Sequence, residues 1–264
     1  MKSVPRAIPF FKGTACGNDF LIVEGNYATS DVAAFSRRMC DRQHGIGADG
    51  VEWLYSTADA DVEARLINAD GSPAEISGNG TRCVAAYLAW KNNQERILVR
   101  TGAGLKENRL TNRSGNLFEF ETAMGTPMLE PEIPLVLPTG VVRGIPVSMG
   151  NPHYAVFVDT MAHNWKEEAA EIGRHTHFPD GVNVEFIVVE DQARIRVWFY
   201  ERGVGETLSS GTGSCASAVA AIHKGLSTSP VEVCAEGGKQ TVHWNGEVLL
   251  RGEAELICRG EFFA

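Results

Sequence analysis

The sequence predicts an α+β protein made of two similar, pseudo-symmetric α/β halves, each a strand-rich sheet around a central helix, with the active-site cleft between them. The first observation is a Ser-Gly-x-Gly turn before an apolar, Ala-rich run, which occurs at Ser77 and again at Ser210. The second is spacing, since Ser77 follows Asn18 by 59 positions (77 − 18) and Ser210 follows Asn151 by 59 positions (210 − 151). The third is that short alternating apolar segments, typical of strands, recur along the chain.

The chain is long enough for two domains of ordinary size. It has 264 residues, of which 44% are hydrophobic and 22% charged, and both are ordinary globular values. Segment 124–139 is rich in Pro and Glu, which is typical of a linker. We therefore expect an N-terminal half formed by residues 1–124 with about 255–264, and a C-terminal half formed by residues 125–254.

Charge and composition argue against several classes of protein. The net charge of −9 disfavours nucleic acid as a partner, because such binding needs a basic surface. No run of eighteen apolar residues occurs, so no membrane span is expected. The start of the chain lacks a signal-peptide pattern, and the six cysteines form no Cys-x-x-Cys pair. A cytoplasmic protein with reduced thiols is the expectation.

No pattern for a cofactor or a metal ion is recognised. The chain has neither a dinucleotide-binding fingerprint nor a phosphate-binding P-loop. His175-Thr-His177 could suggest a metal site, but no Cys or carboxylate stands at ligand spacing, and an exposed loop is the preferred interpretation. We expect neither a cofactor nor a metal.

The N-terminal half begins with short strands and a capped helix. Ser30 or Asp31 can cap a helix that runs to about Cys40, and a Gly-rich loop follows it. The run after Ser77 predicts a second helix, which ends near Trp90. Strands are expected at residues 8–11, 20–24, 51–55, 62–68, 96–101, 105–112 and 116–122.

The C-terminal half repeats this plan. Gly150-Asn-Pro-His153 corresponds to Gly17-Asn-Asp-Phe20, and Asp180-Gly-Val182 corresponds to Asp49-Gly-Val51. A helix is expected over residues 165–175. Strands are expected at residues 141–149, 194–200, 231–235, 240–244, 247–250 and 254–259.

The two Ser-Gly-x-Gly turns point to anion binding and proton transfer. A helix N-terminus offers N–H groups without intrahelical partners, and glycine lets an anion approach the backbone. Two such turns facing one α-carboxylate would place residues 77 and 210 on opposite faces of its Cα. That geometry suits removal of a proton from one face and its return on the other, without a cofactor. Ordinary N-caps are the alternative for either turn alone, but the shared spacing favours function for the pair.

The chain resembles the diaminopimelate epimerase family over nearly its whole length. The resemblance implies a pyridoxal-independent isomerase that interconverts LL- and meso-diaminopimelate, for the synthesis of lysine and peptidoglycan, and a homodimer. The motifs that carry it stand in the family's order: Gly17-Asn-Asp-Phe20, Gly45-Ile-Gly-Ala-Asp-Gly50, Asn68-Ala-Asp-Gly-Ser72, Gly78-Asn-Gly-Thr-Arg-Cys83, Gly150-Asn-Pro-His153, Asn183, Glu201-Arg-Gly-Val-Gly-Glu-Thr207 and Gly211-Thr-Gly213.

The resemblance also implies roles for individual residues. Glu201 and His153 would flank the reacting centre and help to position the α-amino group and the bases. The substrate's α-carboxylate would sit on backbone N–H groups of Gly78, Asn79, Gly211 and Thr212. The residues expected to hold the substrate, mostly at its distal amino-acid end, are Asn18, Asn68, Asn151, Asn183 and Arg202. A distal carboxylate suits a bidentate arginine, and a distal ammonium suits amide oxygens.

The chain departs from the family at its two acid/base positions, where the family has cysteines and this chain has Ser77 and Ser210. A thiol titrates near about 8.5, whereas water, the nearest reference for a hydroxyl, titrates at about 15.7. We therefore expect a chain that binds substrate well and turns it over poorly or not at all. Three explanations stay open: an engineered double Cys→Ser form, a natural racemase or isomerase of another substrate, and a catalytically silent binding protein.

Overall fold

The computed structural model describes residues 6–162 and 164–263. Residues 1–5 and 264, which the predicted N-terminal half includes, lie outside the described residues, as does His163. The chain divides into two compact units. Unit 1 comprises Met1–Thr122 with Gly252–Ala264, and unit 2 comprises Ala123–Arg251.

Unit 1 is built of strands around one buried helix. Its helices are α1 (Val32–Cys40), α2 (Gly78–Asn92) and a short 3-10 helix (Gly25–Tyr27). Its strands are β1 (Ala7–Ala15), β2 (Asn18–Glu24), β3 (Gly50–Tyr55), β4 (Val62–Asn68), β5 (Pro73–Ala74), β6 (Arg96–Thr101), β7 (Gly104–Ser114) and most of β8 (Leu117–Gly125). The last strand, β18 (Glu247–Phe263), begins in unit 2 and ends in unit 1 beside β1.

Within its described residues, unit 2 is likewise built of strands and two α-helices. Its helices are α3 (Trp165–Gly173) and α4 (Gly211–His223). Its strands are β9 (Met128–Leu129), β10 (Ile133–Leu137), β11 (Gly140–Ser148), β12 (Pro152–Phe157), β13 (Asn183–Asp191), β14 (Arg194–Glu201), β15 (Gly205–Thr207), β16 (Val231–Ala235) and β17 (Gly238–Asn245).

The order of strand pairing is the same in both units. In unit 1, β2 pairs parallel with β3, β3 antiparallel with β4, and β4 parallel with β6. In unit 2, β12 pairs parallel with β13, β13 antiparallel with β14, and β14 parallel with β16. The predicted fold class, an α+β protein with two similar halves that each surround a central helix, is confirmed.

The two central helices are buried because their sequences have no polar face. Every residue of α2 from 79 to 89 is buried, as is every residue of α4 from 213 to 221. Small side chains let the surrounding strands approach closely, and a helix that is apolar all round belongs inside a core. The helix N-termini are thereby held in fixed positions.

Two local predictions are wrong. Segment 124–139, predicted as a linker, contains the end of β8 and the strands β9 and β10. In β10, Leu135 and Leu137 are buried while Pro134 and Val136, which alternate with them, are exposed, so the segment is a strand with one face on the core. The strands predicted separately at 247–250 and 254–259 are one continuous strand, β18.

Within the described part of the chain, no helix is both long and apolar enough to cross a membrane.

Candidate active site

The first half-site is the N-terminus of α2, where Ser77 is the capping residue. Its backbone is extended, and its Oγ accepts a hydrogen bond from the N–H of Gly80 at 3.1 Å. The carbonyl oxygen of Ser77 accepts from the Thr81 hydroxyl at 2.8 Å. The N–H groups of a first helical turn have no intrahelical partners. A Cβ at Gly78 would meet no atom within 4 Å, so the space beside this N-terminus is open.

Two of the predicted asparagines lie together at this helix start. The side-chain amide of Asn79 donates to Asn18 Oδ1 at 2.8 Å, and that of Asn18 donates to Asp49 Oδ2 at 3.0 Å. The guanidinium of Arg82, which is 1% exposed, donates to Asn79 Oδ1. This network fixes both amides beside Ser77 and places hydrogen-bonding groups of both kinds near the helix start.

Asn68 occupies a different local structure, the turn that follows β4. Its side-chain amide donates to Ser72 Oγ at 3.0 Å, and its backbone N–H donates to Ser72 O at 2.9 Å. The hydrogen bonds of the described residues do not connect Asn68 with Asn18 or Asn79. Its side chain stabilises the turn, which is the role that asparagine commonly has in such positions.

The second half-site is the N-terminus of α4, which repeats the geometry of the first. Ser210 is extended, caps the helix and accepts from the N–H of Gly213 at 3.2 Å. It is 6% exposed, whereas Ser77 is half-buried. A Cβ at Gly211 would meet only the end of the Leu250 side chain, at 3.4 Å. Both helices therefore begin with a glycine, and the space beside its Cα is open or nearly open.

A chain of hydrogen bonds runs from this helix start to a buried carboxyl. Asn151 donates to Thr212 Oγ1 at 3.3 Å, and its Oδ1 lies 3.0 Å from His153 Nε2. His153 Nδ1 lies 2.6 Å from Glu185 Oε1, with both side chains 1% exposed or less. Each ring nitrogen thus faces an oxygen atom, which fixes the orientation of the imidazole.

Asn183, Glu201 and Arg202 are positioned by the strands that follow. Asn183 donates to Pro152 O at 2.9 Å and accepts from the backbone N–H of Arg202 at 2.9 Å. The exposed guanidinium of Arg202 donates to Asp180 O at 3.0 Å, which leaves further N–H groups for a carboxylate. Glu201 accepts from the Thr207 hydroxyl at 2.7 Å. Burial raises the pKa of Glu201, and the neighbouring Glu185 adds to this increase.

Two buried carboxyls, Glu52 on β3 and Glu185 on β13, were not predicted from the sequence. They are separated by 133 positions (185 − 52), as are Ser77 and Ser210 (210 − 77). Burial raises the pKa of Glu52 to about 8. Burial also raises the pKa of Glu185, against the opposing effect of His153. The available signal was an acidic residue inside an otherwise apolar strand, repeated at the same spacing.

These two carboxyls explain the second glycine of each turn. A Cβ at Gly80 would lie 2.2 Å from Glu52 Oε1, and a Cβ at Gly213 would lie 2.8 Å from Glu185 Oε1. Both distances are shorter than atoms tolerate, so any larger residue would displace the carboxyl. Each helix therefore begins with a hydroxyl at its cap and a carboxyl beside its third residue.

The arrangement suits an organic anion. The partial positive charge of a helix N-terminus attracts anions, and the open space beside Gly78 gives access to the backbone. Among the residues that the structure describes, no group of three or more His, Cys, Asp or Glu side chains could hold a metal ion. Hydroxyl, carboxyl and imidazole groups nearby are the kinds of group that transfer protons.

Comparison with known proteins identifies the family. The profile of the diaminopimelate epimerase family matches residues 10–129 and 145–257. Diaminopimelate epimerases from Carboxydothermus hydrogenoformans and Pelotomaculum thermopropionicum are each 38% identical, over 96% of this chain and 99% and 98% of theirs. A hydroxyproline epimerase from Agrobacterium vitis has a similar fold, with a TM-score of 0.73 over 97% of this chain and 91% of that one, at 17% identity. The chain belongs to the diaminopimelate epimerase family.

Proposed function

We propose that this chain binds diaminopimelate and is a cofactor-independent, two-base epimerase of the LL and meso forms, with impaired turnover. Ser77 and Ser210 are the two proton-transfer groups. The observation that carries the proposal is the pair of serine-capped helix N-termini, one in each unit, with equivalent hydrogen bonds. Membership of the family supports the substrate class.

The substrate's α-carboxylate is held by the backbone N–H groups at the two helix starts. A carboxylate there gains from the helix dipoles, which also stabilise negative charge that develops as the Cα proton leaves. His153 and Glu201 position the α-amino group. The distal end is bound by Arg202 together with the amides of Asn18, Asn68, Asn151 and Asn183. The backbone N–H groups that hold the α-carboxylate are those of Gly78, Asn79, Gly211 and Thr212.

Slow turnover follows from the chemistry of the hydroxyl. The difference of roughly 7 pKa units between a thiol and water corresponds to about 10 kcal/mol in proton affinity. One hydrogen-bonded partner recovers only part of that difference, because general acid–base assistance contributes about 10²–10⁴-fold in rate. The serine form should therefore hold its substrate while exchanging the Cα proton far more slowly than a dithiol form.

The direct test is exchange of the substrate Cα proton in deuterated water. This chain and a Ser77→Cys/Ser210→Cys variant are each incubated with LL-diaminopimelate, and deuterium incorporation and the meso isomer are measured. We expect both reactions in the double variant, at least about 10³-fold faster than in the serine form. The single variants serve as controls, because one thiol should permit exchange on one face without rapid inversion.

The outcomes separate the proposal from its alternatives. Silence in both forms, or equal rates in both, would count against diaminopimelate as the substrate or against the two serines as the bases. Exchange of a different amino acid by the serine form would favour a racemase or isomerase of another substrate. The buried Glu52 favours that second candidate, because a carboxyl near Ser77 is a base that could assist a hydroxyl. Tight binding without exchange in either form would indicate a silent binding protein.

We further propose a place in lysine biosynthesis, a cytoplasmic location and a homodimeric state. Family membership supports the place in lysine biosynthesis. The location and the homodimer are expectations from the sequence. Light scattering of the purified chain would measure its mass against the 28.6 kDa of one copy.

A further inference from the structure

The two half-sites differ in what surrounds the buried carboxyl. In unit 2, Glu185 lies against His153, the second residue of β12. The position equivalent to His153 in unit 1 is Phe20 on β2. His153 pairs with the residue two positions before Glu185, and Phe20 pairs with the residue two positions before Glu52. Phe20 has no polar atom in its side chain. Glu52 therefore lacks the imidazole that its counterpart has.

Glu52 is a buried carboxyl without a partner. It is 3% exposed, and within the described chain no hydrogen bond or ion pair involves its carboxyl group. A buried, unpaired carboxyl is costly, so its presence beside a helix N-terminus calls for a role. The elements packed around this part of β3 carry other ionisable groups, which are Asp19 and Glu24 on β2, Glu63 and Arg65 on β4, and Arg82 and Cys83 near the start of α2. Burial, more than any of these, sets the protonation of Glu52.

The carboxyl and the Ser77 side chain border the same small volume. A Cβ added to Gly80 would lie 2.2 Å from Glu52 Oε1 and 3.3 Å from Ser77 Cβ. Glu52 Oε1 and Ser77 Cβ are therefore at most about 5.5 Å apart. They make no direct hydrogen bond in this structure, in which the Ser77 Oγ accepts from Gly80 N–H. Rotation of the serine side chain or one bridging water can span the remaining gap.

We propose that Glu52 is the proton-transfer partner of Ser77 and acts through its hydroxyl. When the hydroxyl takes the substrate proton, the Cα–H bond breaks and its electron pair stays on Cα. A new O–H bond forms at the serine oxygen while the original O–H bond breaks, and that proton bonds to a Glu52 carboxylate oxygen. The reverse sequence returns a proton to Cα. The net transfer is from Cα to the carboxylate, with no oxidant, reductant or further reactant.

This inference rests on the proposed function, in which Ser77 is one of the two bases. Glu52 supplies the proton acceptor that the weakly acidic Ser77 hydroxyl requires. The two half-sites are then chemically different. Ser77 relies on a carboxyl alone, whereas the surroundings of Ser210 include Glu185 paired with His153. With a pKa of about 8, Glu52 is poised to change its protonation close to neutral pH.

The first test measures coupling between the two groups without any substrate. A Ser77→Cys variant places a thiol at the cap, and its alkylation rate is followed against pH by mass spectrometry of the peptide that contains it. Adding Glu52→Gln to this variant removes the ionisable carboxyl beside the thiol, while the glutamine side chain keeps nearly the same shape. We expect Glu52→Gln to shift the alkylation curve of the introduced thiol to lower pH, by up to about one unit. The difference should appear from about pH 8 upward, because Glu52 is ionised there and its negative charge disfavours the thiolate.

The matched control places the thiol at the other cap. Glu52→Gln in a Ser210→Cys background should leave alkylation of that thiol unchanged. No change in the Ser77→Cys background, or an equal change in both, would overturn the assignment. If Glu52→Gln fails to fold, carboxyl NMR of Glu52 gives the same answer in the Ser77→Cys chain. If Glu52 and the thiol are coupled, the Glu52 carboxyl signal should titrate in two steps in the Ser77→Cys chain and in one step in a Ser77→Ala chain.

The second test uses proton exchange at the substrate Cα. Abstraction through Ser77 needs the Glu52 carboxylate, so its rate should rise with pH through about 8, and Glu52→Gln should abolish that rise. Glu24→Gln on β2, a carboxyl that pairs with Tyr87 and Lys91, is the matched control and should keep the profile. An unchanged profile in Glu52→Gln would overturn the inference. The thiol test contains no substrate, so it judges Glu52 even if diaminopimelate proves to be the wrong ligand.

Discussion

The second glycine of each turn shows how one missing side chain can admit a functional group. Gly80 and Gly213 have ordinary helical backbones, so neither is required for a left-handed conformation. What each provides is space, because Glu52 or Glu185 stands where a Cβ would be. The glycines and the carboxyls therefore form matched pairs within their units.

At this scale we predict that Gly80→Ala destabilises the protein and that Gly78→Ala does not. The added Cβ at position 80 would meet Glu52 Oε1 at 2.2 Å, whereas at position 78 it meets open space. Overpacking of a buried site costs about 1–3 kcal/mol, and an exposed change costs within about 0.5 kcal/mol. Urea unfolding of both variants measures the difference. Equal stabilities would show that the carboxyl moves aside freely.

The residue scale also shows where prediction from the sequence fails. The serine caps could be predicted, because a hydroxyl before a Gly-rich helix start is a local signal. Glu52 and Glu185 could not, because a single acidic residue in a strand ordinarily faces solvent. Its burial arises only when a distant helix covers that face of the strand. The repeated spacing was the remaining clue, and it required comparison of the two halves position by position.

The N-caps of the central helices are the main feature at the scale of elements. Each serine oxygen satisfies an N–H group that the helix itself leaves without a partner. The same oxygen is assigned to proton transfer in the proposed function. If that function holds, stability and chemistry depend on the same atom in each unit.

We predict that Ser77→Ala and Ser210→Ala each lower the free energy of unfolding by about 1 kcal/mol, the usual cost of a lost cap. Ser217→Ala in α4 is the control, because the Ser217 hydroxyl is buried and has no hydrogen-bond partner among the described residues. Removing an unsatisfied hydroxyl should be neutral or stabilising. Thermal denaturation of the three variants provides the comparison. A loss in Ser217→Ala as large as in the cap variants would contradict this account.

The elements themselves were predicted well where periodicity was strong. Both central helices and the strands before them follow from apolar patterns and caps. Segment 124–139 was misassigned because Pro134 and the surrounding Glu residues are typical of a linker. An edge position tolerates proline, and the alternation of Leu135 and Leu137 with exposed residues outweighs it.

At the scale of the whole molecule, Glu52 should make stability depend on pH. Its pKa is raised from the ordinary value of 4.5 to about 8, so the unfolded chain releases this proton at a lower pH than the folded chain. Between these two values the unfolded state binds fewer protons, and the free energy of unfolding therefore falls as pH rises. The loss from this one group is at most about 5 kcal/mol and is complete above about pH 8.

We predict that Glu52→Gln flattens this dependence. Unfolding by urea, measured from pH 5 to pH 9, should show the free energy of unfolding falling less steeply in the variant than in the unsubstituted chain. Glu24→Gln is again suitable as the control, because hydrogen bonds with Lys91 and Tyr87 lower the pKa of Glu24 against the effect of burial. Parallel curves for Glu52→Gln and the unsubstituted chain would mean that Glu52 is ionised in the folded protein.

The complete burial of α2 also limits how the sequence can change over evolutionary time. A helix on a protein surface has one face on which substitutions accumulate, but residues 79–89 have none. Ala85, Ala86 and Ala89 touch neighbours on every side, and a larger residue at any of them would push strands apart. Drift in this unit is therefore confined to exposed strand positions and turns.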